Sequence, residues 1–438
     1  MAPWLGGVLG LICLCLAIRS ARRKRLVDDL PTSKTSGVFI GLVELKGTAE
    51  SENPLCSYLA GQPCVYYDWS VQEHWSRTVT ETYTDNEGRT QTRTRHESGW
   101  TTVANGSDGQ IFYLQDDCGV VRIAPEGAKL ETQTIFDETC GRLDPLYYAK
   151  GPALWVADSD HRRRFVENAI VLHAELYVMG QARECRDVVA PEIAADKDAP
   201  MFLISTRTEK QISSGFGWGE WGWGIFGMLL SVAGFFLAQQ ADYRGPNVPL
   251  LVLVAAAYFC AAGIGWVWMV FNSLIDLRQR VRQGWAQVDV QLKRRHDLIP
   301  NLVGTIQGLR DYEKNLQTEI AQLRAQQGAT PPGEPGADYQ ACGKILVAVK
   351  EAYPEITAQK AFLDLQKNLT DTEQRIALAR GYFNSIATFY NARLEVVPDR
   401  FVAALVKMQP QSLMAANDFE RAPVVVAFAD GGQKFRAN

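Results

Sequence analysis

PLLVLVAAAYFCAAGIGWVWMVF, residues 249–271, is an uninterrupted apolar run, and the chain that follows keeps its hydrophobic rhythm. Beyond it, apolar side chains return every three or four residues at Leu274, Val281, Trp285, Val288, Leu292, Ile299, Leu302, Ile306, Leu309, Leu316, Ile320 and Leu323. The first run is long enough to cross a bilayer. The second is a heptad stripe, which needs partner helices to cover it. At about 1.5 Å per residue the periodic part would measure roughly 75 Å, with Pro300 as its kink point and with Arg295 and Glu313 in seam positions. A membrane helix is thus predicted to continue into a stalk, and the rest of the chain is read around it.

The 438 residues suffice for two or three domains, and a formal net charge of -4 gives no reason to expect nucleic acid as a partner. Nine cysteines include no CxxC pair, and histidines number five, so zinc-ribbon and RING ligand sets are missing. Scattered cysteines in a large chain read as free thiols in a reducing compartment.

Residues 3–18 are almost wholly apolar, and Arg19, Arg22, Arg23, Lys24 and Arg25 follow directly. Charges on that side predict a retained anchor with the N-terminus outside. Two further runs, 218–238 and 249–271, are joined by a polar Pro/Gly linker and read as a membrane hairpin. Glycines interleaved with Trp218, Trp221 and Trp223 match a membrane boundary, with no strand-Gly-helix context for a nucleotide loop. Small residues four apart, Gly227 with Ser231 and then Ala257, Ala261 and Gly265, predict close helix contact. Arg278, Arg280 and Arg282 follow the third run. The positive-inside rule then places both large domains in the cytoplasm.

Between residues 36 and 214 the pattern changes to short strand-like runs, at 37–45, 63–71, 110–114, 119–123 and 173–178. Threonines alternate at Thr78, Thr80, Thr82 and Thr84 and again at Thr90, Thr92 and Thr94 around Asn86-Glu87-Gly88. That is a hairpin polar on both faces, a solvated insertion or a partner-docking ribbon. The segments Gly41-Leu-Val-Glu-Leu-Lys-Gly47, Gly61-Gln-Pro-Cys-Val-Tyr-Tyr67, Gly109-Gln-Ile-Phe-Tyr-Leu114, Val120-Val-Arg-Ile-Ala-Pro125 and Met201-Phe-Leu-Ile-Ser205 resemble the GIDE (beside-a-membrane) domain. In eukaryotes that domain occurs in a mitochondrial outer-membrane ubiquitin ligase, where a RING follows a second span. No Cys/His cluster follows the spans here, so the resemblance does not imply ligase activity.

The segment Val288-Asp-Val-Gln-Leu-Lys-Arg-Arg-His-Asp-Leu-Ile-Pro-Asn-Leu-Val303, with the later motifs around Tyr353-Pro354, Glu373, Arg375, Asn384, Tyr390 and Asn391, resembles the LemA family. Its signature falls on Asp289, Arg294, Arg295, His296, Asp297, Pro300, Asn301, Tyr353, Pro354, Glu373, Arg375, Asn384, Tyr390 and Asn391. The resemblance implies a transmembrane helix leading into an elongated antiparallel helical bundle with no established enzymatic activity. Val396-Val-Pro398 departs from the aromatic that the family usually shows before the proline.

Candidate chemistry is sparse. Arg294, Arg295, His296 and Asp297 are sequential and point in different directions on a helix. Asp289 and His296 share a face, which reads as a polar contact within the bundle. No nucleophile elbow, P-loop or HExxH is present. The sequence therefore predicts a multi-domain membrane protein, with an anchor at 1–20, a GIDE-like β-rich domain at 36–214, spans at 218–238 and 249–271, a LemA-like bundle at 272–405 and a tail at 406–438. The expected function is a non-catalytic bacterial inner-membrane scaffold that self-assembles and organises membrane or partner proteins, with no catalytic residues, cofactor or metal. The alternative is an adaptor or sensor in envelope-stress signalling, binding a protein or lipid through the GIDE-like domain.

Overall fold

The computed structural model describes residues 3–84, 90–185, 191–197, 199–241, 247–307 and 360–414. The chain divides into two compact units, Met1–Met269 and Val270–Asn438.

In the first unit, α1 (Pro3–Asp28) leads through β1 (Thr32–Ser33) and a 3-10 turn (Thr35–Gly37) to β2 (Gly41–Glu50), β3 (Leu55–Cys56), β4 (Pro63–Thr84) and β5 (Thr90–Gly109). Then come β6 (Phe112–Gln115), β7 (Val120–Ile123), β8 (Lys129–Glu131), β9 (Gln133–Gly141), α2 (Pro145–Ala149) and β10 (Ser159–Val171). After β11 (Glu175–Glu184), β12 (Pro191–Ala194) and β13 (Leu203–Ser205), the long helix α3 (Glu209–Ala241) begins. Helix α4 (Val248–Gln307) runs on into the second unit, which also holds α5 (Lys360–Glu395) and α6 (Asp399–Leu405).

Among the described residues, three helices are long and apolar enough to cross a membrane, at Leu5–Asp28, Glu209–Gln240 and Val248–Arg294. Lipid supplies no hydrophobic drive between helices, so contact depends on how closely backbones approach. Helices α1 and α3 meet through glycine: a Cβ on Gly6 would stand 2.7 Å from Gly234 Cα, and one on Gly10 would stand 1.9 Å from Ser231 Oγ. Tyr258 on α4 donates to the carbonyl of Gly224 on α3 at 2.9 Å. Of the expected small-residue set, Gly227 and Ser231 therefore lie in a helix crossing, whereas Ala257 is exposed. Helix α4 brings Gly265 against α1, where a Cβ would stand 2.5 Å from Ile18 Cδ1, and turns Tyr258 and Met269 inward.

Five strands close on themselves. β2 pairs antiparallel with β6 and β6 with β7; β7 runs parallel to β12, β12 antiparallel to β11, and β11 returns to β2. This order is a Greek-key barrel of the OB type, in which closure removes free edges. Alternation along the strands sends Val43, Leu45, Phe112, Leu114, Ile123 and Ile193 inward, all at most 1 % exposed. Gly180 on β11 makes the curl possible, because a Cβ there would meet Phe202 and Ile193 within 2.8 Å.

Two excursions leave the ring, residues 51–111 between its first and second strands and 124–174 between its third and fourth. They meet in a second, five-stranded antiparallel sheet with the order β3-β4-β10-β9 and β5 on the other side of β4. Pairing of β4 with β10 stops at Trp75, and beyond it β4 pairs with β5 alone, Thr80 opposite Thr94 and Thr82 opposite Thr92. The predicted polar ribbon is therefore present over 76–84 and 90–98; its turn lies outside the described residues.

A buried polar cluster ties the second sheet together. Arg163 on β10 and Glu73 on β4 are both fully buried, with Arg163 Nη2 3.0 Å from Glu73 Oε2. All five guanidinium N–H groups are used: two donate to Glu73 Oε2, two to the carbonyls of Tyr147 and Pro152, and one to that of Leu154. Glu73 Oε1 accepts from Tyr147 and Ser159 at 2.9 and 2.5 Å. Burial, with the hydrogen bond to Glu73, pushes the Tyr147 phenol up to about 12.

In the second unit, Leu277, Val281, Val288 and Leu292 of α4 form a core with Ile376, Phe383, Ile386 and Tyr390 of α5. The helices run in opposite directions, since Arg294 lies 3.7 Å from Asp371 while Trp285 meets Phe383 edge to face. The predicted turns at 330–336 and Tyr353-Pro354, and the seam residue Glu313, lie outside the described residues.

Candidate functional site

The outside of the barrel divides into a seat and an open face. On the seat, Tyr177, Met179 and Leu203 pack against Val27 from the end of α1, Leu30 just beyond it and Ile212 from the start of α3. Glu44 is buried here too, accepting from Thr32 Oγ1 at 2.6 Å and from Tyr177 at 2.9 Å. Burial pushes its carboxyl up, against the pull of those donors. A groove of about 1040 Å³ opens alongside, where Lys34 is engaged with Asp117 at 2.5 Å and Lys46 with Glu209 at 2.7 Å.

On the open face, Tyr113 of β6 lies opposite Arg122 of β7, and Gln115 lies opposite Val120. Ile111, Tyr113 and Val120 are exposed, with Arg122 beside Glu192 at 3.8 Å and His173 beside Glu50 at 2.8 Å. Apolar and aromatic anchors within a rim of paired charges have the make-up of a recognition surface.

Nucleophilic and metal chemistry find little support among the described residues. Their cysteines are all free, and burial pushes the thiols of Cys64 and Cys140 up to about 11, far from thiolate reactivity at neutral pH. Asp116, Asp117 and Cys118 come close enough to share an ion. Asp116, however, already accepts from Thr35 N and Oγ1, Cys118 N and Gly119 N, between 2.5 and 2.9 Å. Partial burial would raise its carboxyl, but those hydrogen bonds outweigh it and hold the group below the usual range. The cluster closes a turn.

The LemA-like signature residues fall into three groups. Asp289 and Arg294 sit on exposed parts of α4, and Arg375 on α5 bonds Asp371 one turn back at 3.0 Å. Arg295, His296, Asp297, Pro300 and Asn301 lie within α4, which stays helical through Pro300; their side chains, and Tyr353 and Pro354 altogether, are outside the described residues. On α5, Glu373 is half-buried and Tyr390 fully buried.

Asn384 and Asn391 do what no periodicity could announce. Asn384 donates to Met414 O at 3.0 Å and accepts from Met414 N at 2.8 Å. Asn391 repeats the arrangement with Gln411, at 2.8 Å in both directions. Two side-chain amides, seven residues apart and so on one helix face, thus hold the segment that follows α6 along α5. Asn391→Ala is expected to cost about 1–2 kcal/mol and to speed amide exchange at Gln411 more than at Met414. Unchanged exchange at Gln411 would refute the clamp.

The LemA family model matches residues 284–428. The GIDE model, described as E3 ubiquitin ligase, matches 80–238, from within the ribbon through α3. Protein LemA of Metamycoplasma hominis is 21% identical over 158 residues, which cover 35% of this chain and 72% of that relative. A membrane-associated protein is thus in hand, with a GIDE-type region of β structure and span joined to a LemA-type region of helices.

Proposed function

We propose that the chain is a non-catalytic scaffold of a bacterial inner membrane, one that self-assembles and holds membrane or partner proteins. The carrying observation is the ribbon. Strand β5 is 20 residues long and among the described residues pairs only with β4, so its other edge offers a row of backbone donors and acceptors for an added strand. The missing RING ligand set fits the same non-catalytic reading. Both large parts would lie in the cytoplasm, an orientation that the arginines after residues 18 and 271 favour.

An adaptor reading draws on the open face at Tyr113 and Val120, since OB-type barrels bind ligands on their second and third strands; that is an analogy of fold. Native size in mild detergent separates the two. A large uniform particle supports the scaffold, and a monomer bound to one partner supports the adaptor and overturns the scaffold. In a cysteine-free background, Asn247→Cys should label from outside intact cells and Gln326→Cys should not; the reverse would overturn the orientation.

A further inference from the structure

The ribbon's outer strand is regular over part of its length. From Thr90 to Thr102, β5 pairs residue for residue with β4 from Thr84 back to Gln72; beyond Thr102 the register shifts, and Ala104 faces Val71. His96 stands midway along that stretch. The edge of β5 away from β4 can take one more strand, and a second copy of β5 is the occupant that its charges fit.

Two copies joined through their β5 edges run antiparallel about a two-fold axis. Paired side chains share a face of the sheet, so paired residue numbers are both odd or both even, and the axis passes through one residue, which faces itself. Both faces of the ribbon are polar, so burial does not choose that residue. Arg93, Arg95 and Glu97, all on one face, do. An axis at any of these three sets it against its own like charge, and an axis at Thr94 sets Arg93 against Arg95. With the axis past Glu97, none of the three meets an opposite charge. At His96 each Arg95 faces Glu97 of the other copy, and the whole regular stretch is paired. Charge and regular length thus choose the same residue independently.

Glu97 has an oxygen to spare for a second arginine. Its Oε2 accepts from Nε and Nη2 of Arg77 on β4, at 3.1 and 2.8 Å, while its Oε1 stands 3.6 Å from Nε of Arg95 on its own strand, beyond hydrogen-bond length. Thr94, Arg95 and His96 are exposed.

We propose that two copies of this chain join their β5 edges antiparallel, with His96 on the two-fold axis and Arg95 of each copy against Glu97 of the other. This rests on the self-assembling scaffold reading and supplies one of its contacts.

Full-length protein with its nine cysteines replaced and His96→Cys introduced, oxidised in membranes, supplies the test. A disulfide-linked dimer is expected, because directly opposed residues of antiparallel strands stand about 4.5–5.5 Å apart at Cα, within disulfide reach. Thr94→Cys should give none, since its twin would lie roughly 14 Å away. With His96→Cys in every chain, Arg95→Glu alone and Glu97→Arg alone should each lower linking about tenfold. Co-expressing those two variants, one tagged for size, should restore linking between them, because each arginine then faces a glutamate again. Linking at Thr94→Cys as strong as at His96→Cys, charge variants that link like the parent, or no restoration on co-expression would each overturn the pairing. A large native particle without a link at His96→Cys overturns it too and leaves the scaffold reading standing, whereas a monomeric parent overturns both.

Discussion

Arg163→Met is expected to lower the stability of the β-rich region by about 3–5 kcal/mol. Methionine matches the length of the arginine stem but leaves Glu73 as a buried charge without its counter-ion and three carbonyls without donors. Arg163→Lys should recover only part of the loss, because an ammonium has three donors and no fork to reach Glu73, Tyr147, Pro152 and Leu154 together. The site was shaped for the guanidinium: a Cβ at Gly151 would come within 2.5 Å of Arg163 Nη1 and 2.4 Å of Tyr147 O. Denaturant titration followed by tryptophan fluorescence would measure the difference. A loss below about 1 kcal/mol, the range of an exposed pair, would show that the cluster does not hold the sheet.

Gly10→Leu should separate α1 from α3, at a cost of about 1–3 kcal/mol, and loosen the barrel's seat, which uses residues of both helices. The clash is with backbone as well as side chain, since Gly227 O lies 2.9 Å from the added Cβ. Gly7→Leu is the control: three residues from Gly10, it has only Phe235 Cε2 nearby, at 3.9 Å. A lower Tm in detergent for Gly10→Leu and a near-parental one for Gly7→Leu is the expected pair. Equal losses would show that length of apolar helix matters and close contact does not.

The spans were legible because apolar length needs no partner to be recognised, and the strand runs at 63–71, 110–114, 119–123 and 173–178 overlap β4, β6, β7 and β11. The strand β10 was not, for a physical reason. Its charged opening, Ser159-Asp-His-Arg-Arg-Arg164, looks solvated until Glu73, ninety residues earlier in sequence, is seen to neutralise Arg163. Barrel closure was equally silent, because inward-outward alternation is the same in a ring and in an open sheet. Gly6 and Gly10 had the signal that singled out Gly227 and Ser231, small residues four apart, within a run read only for its length. The asparagine clamp depends on backbone groups 20 and 30 residues downstream, where no side-chain pattern exists to find.

Ring closure also sets a schedule for biogenesis. Strand β2 leaves the ribosome directly after α1, yet its partner β11 lies 127 residues later, Thr48 opposite Glu175. At translation rates of roughly 5–20 residues per second the interval is on the order of ten seconds. Through it, β2 waits at the bilayer surface with an edge unsatisfied, tethered by a helix already inserted. A nascent chain arrested before β11 therefore presents an open strand beside lipid, the state in which chaperone capture or quality-control proteolysis would act on this protein first.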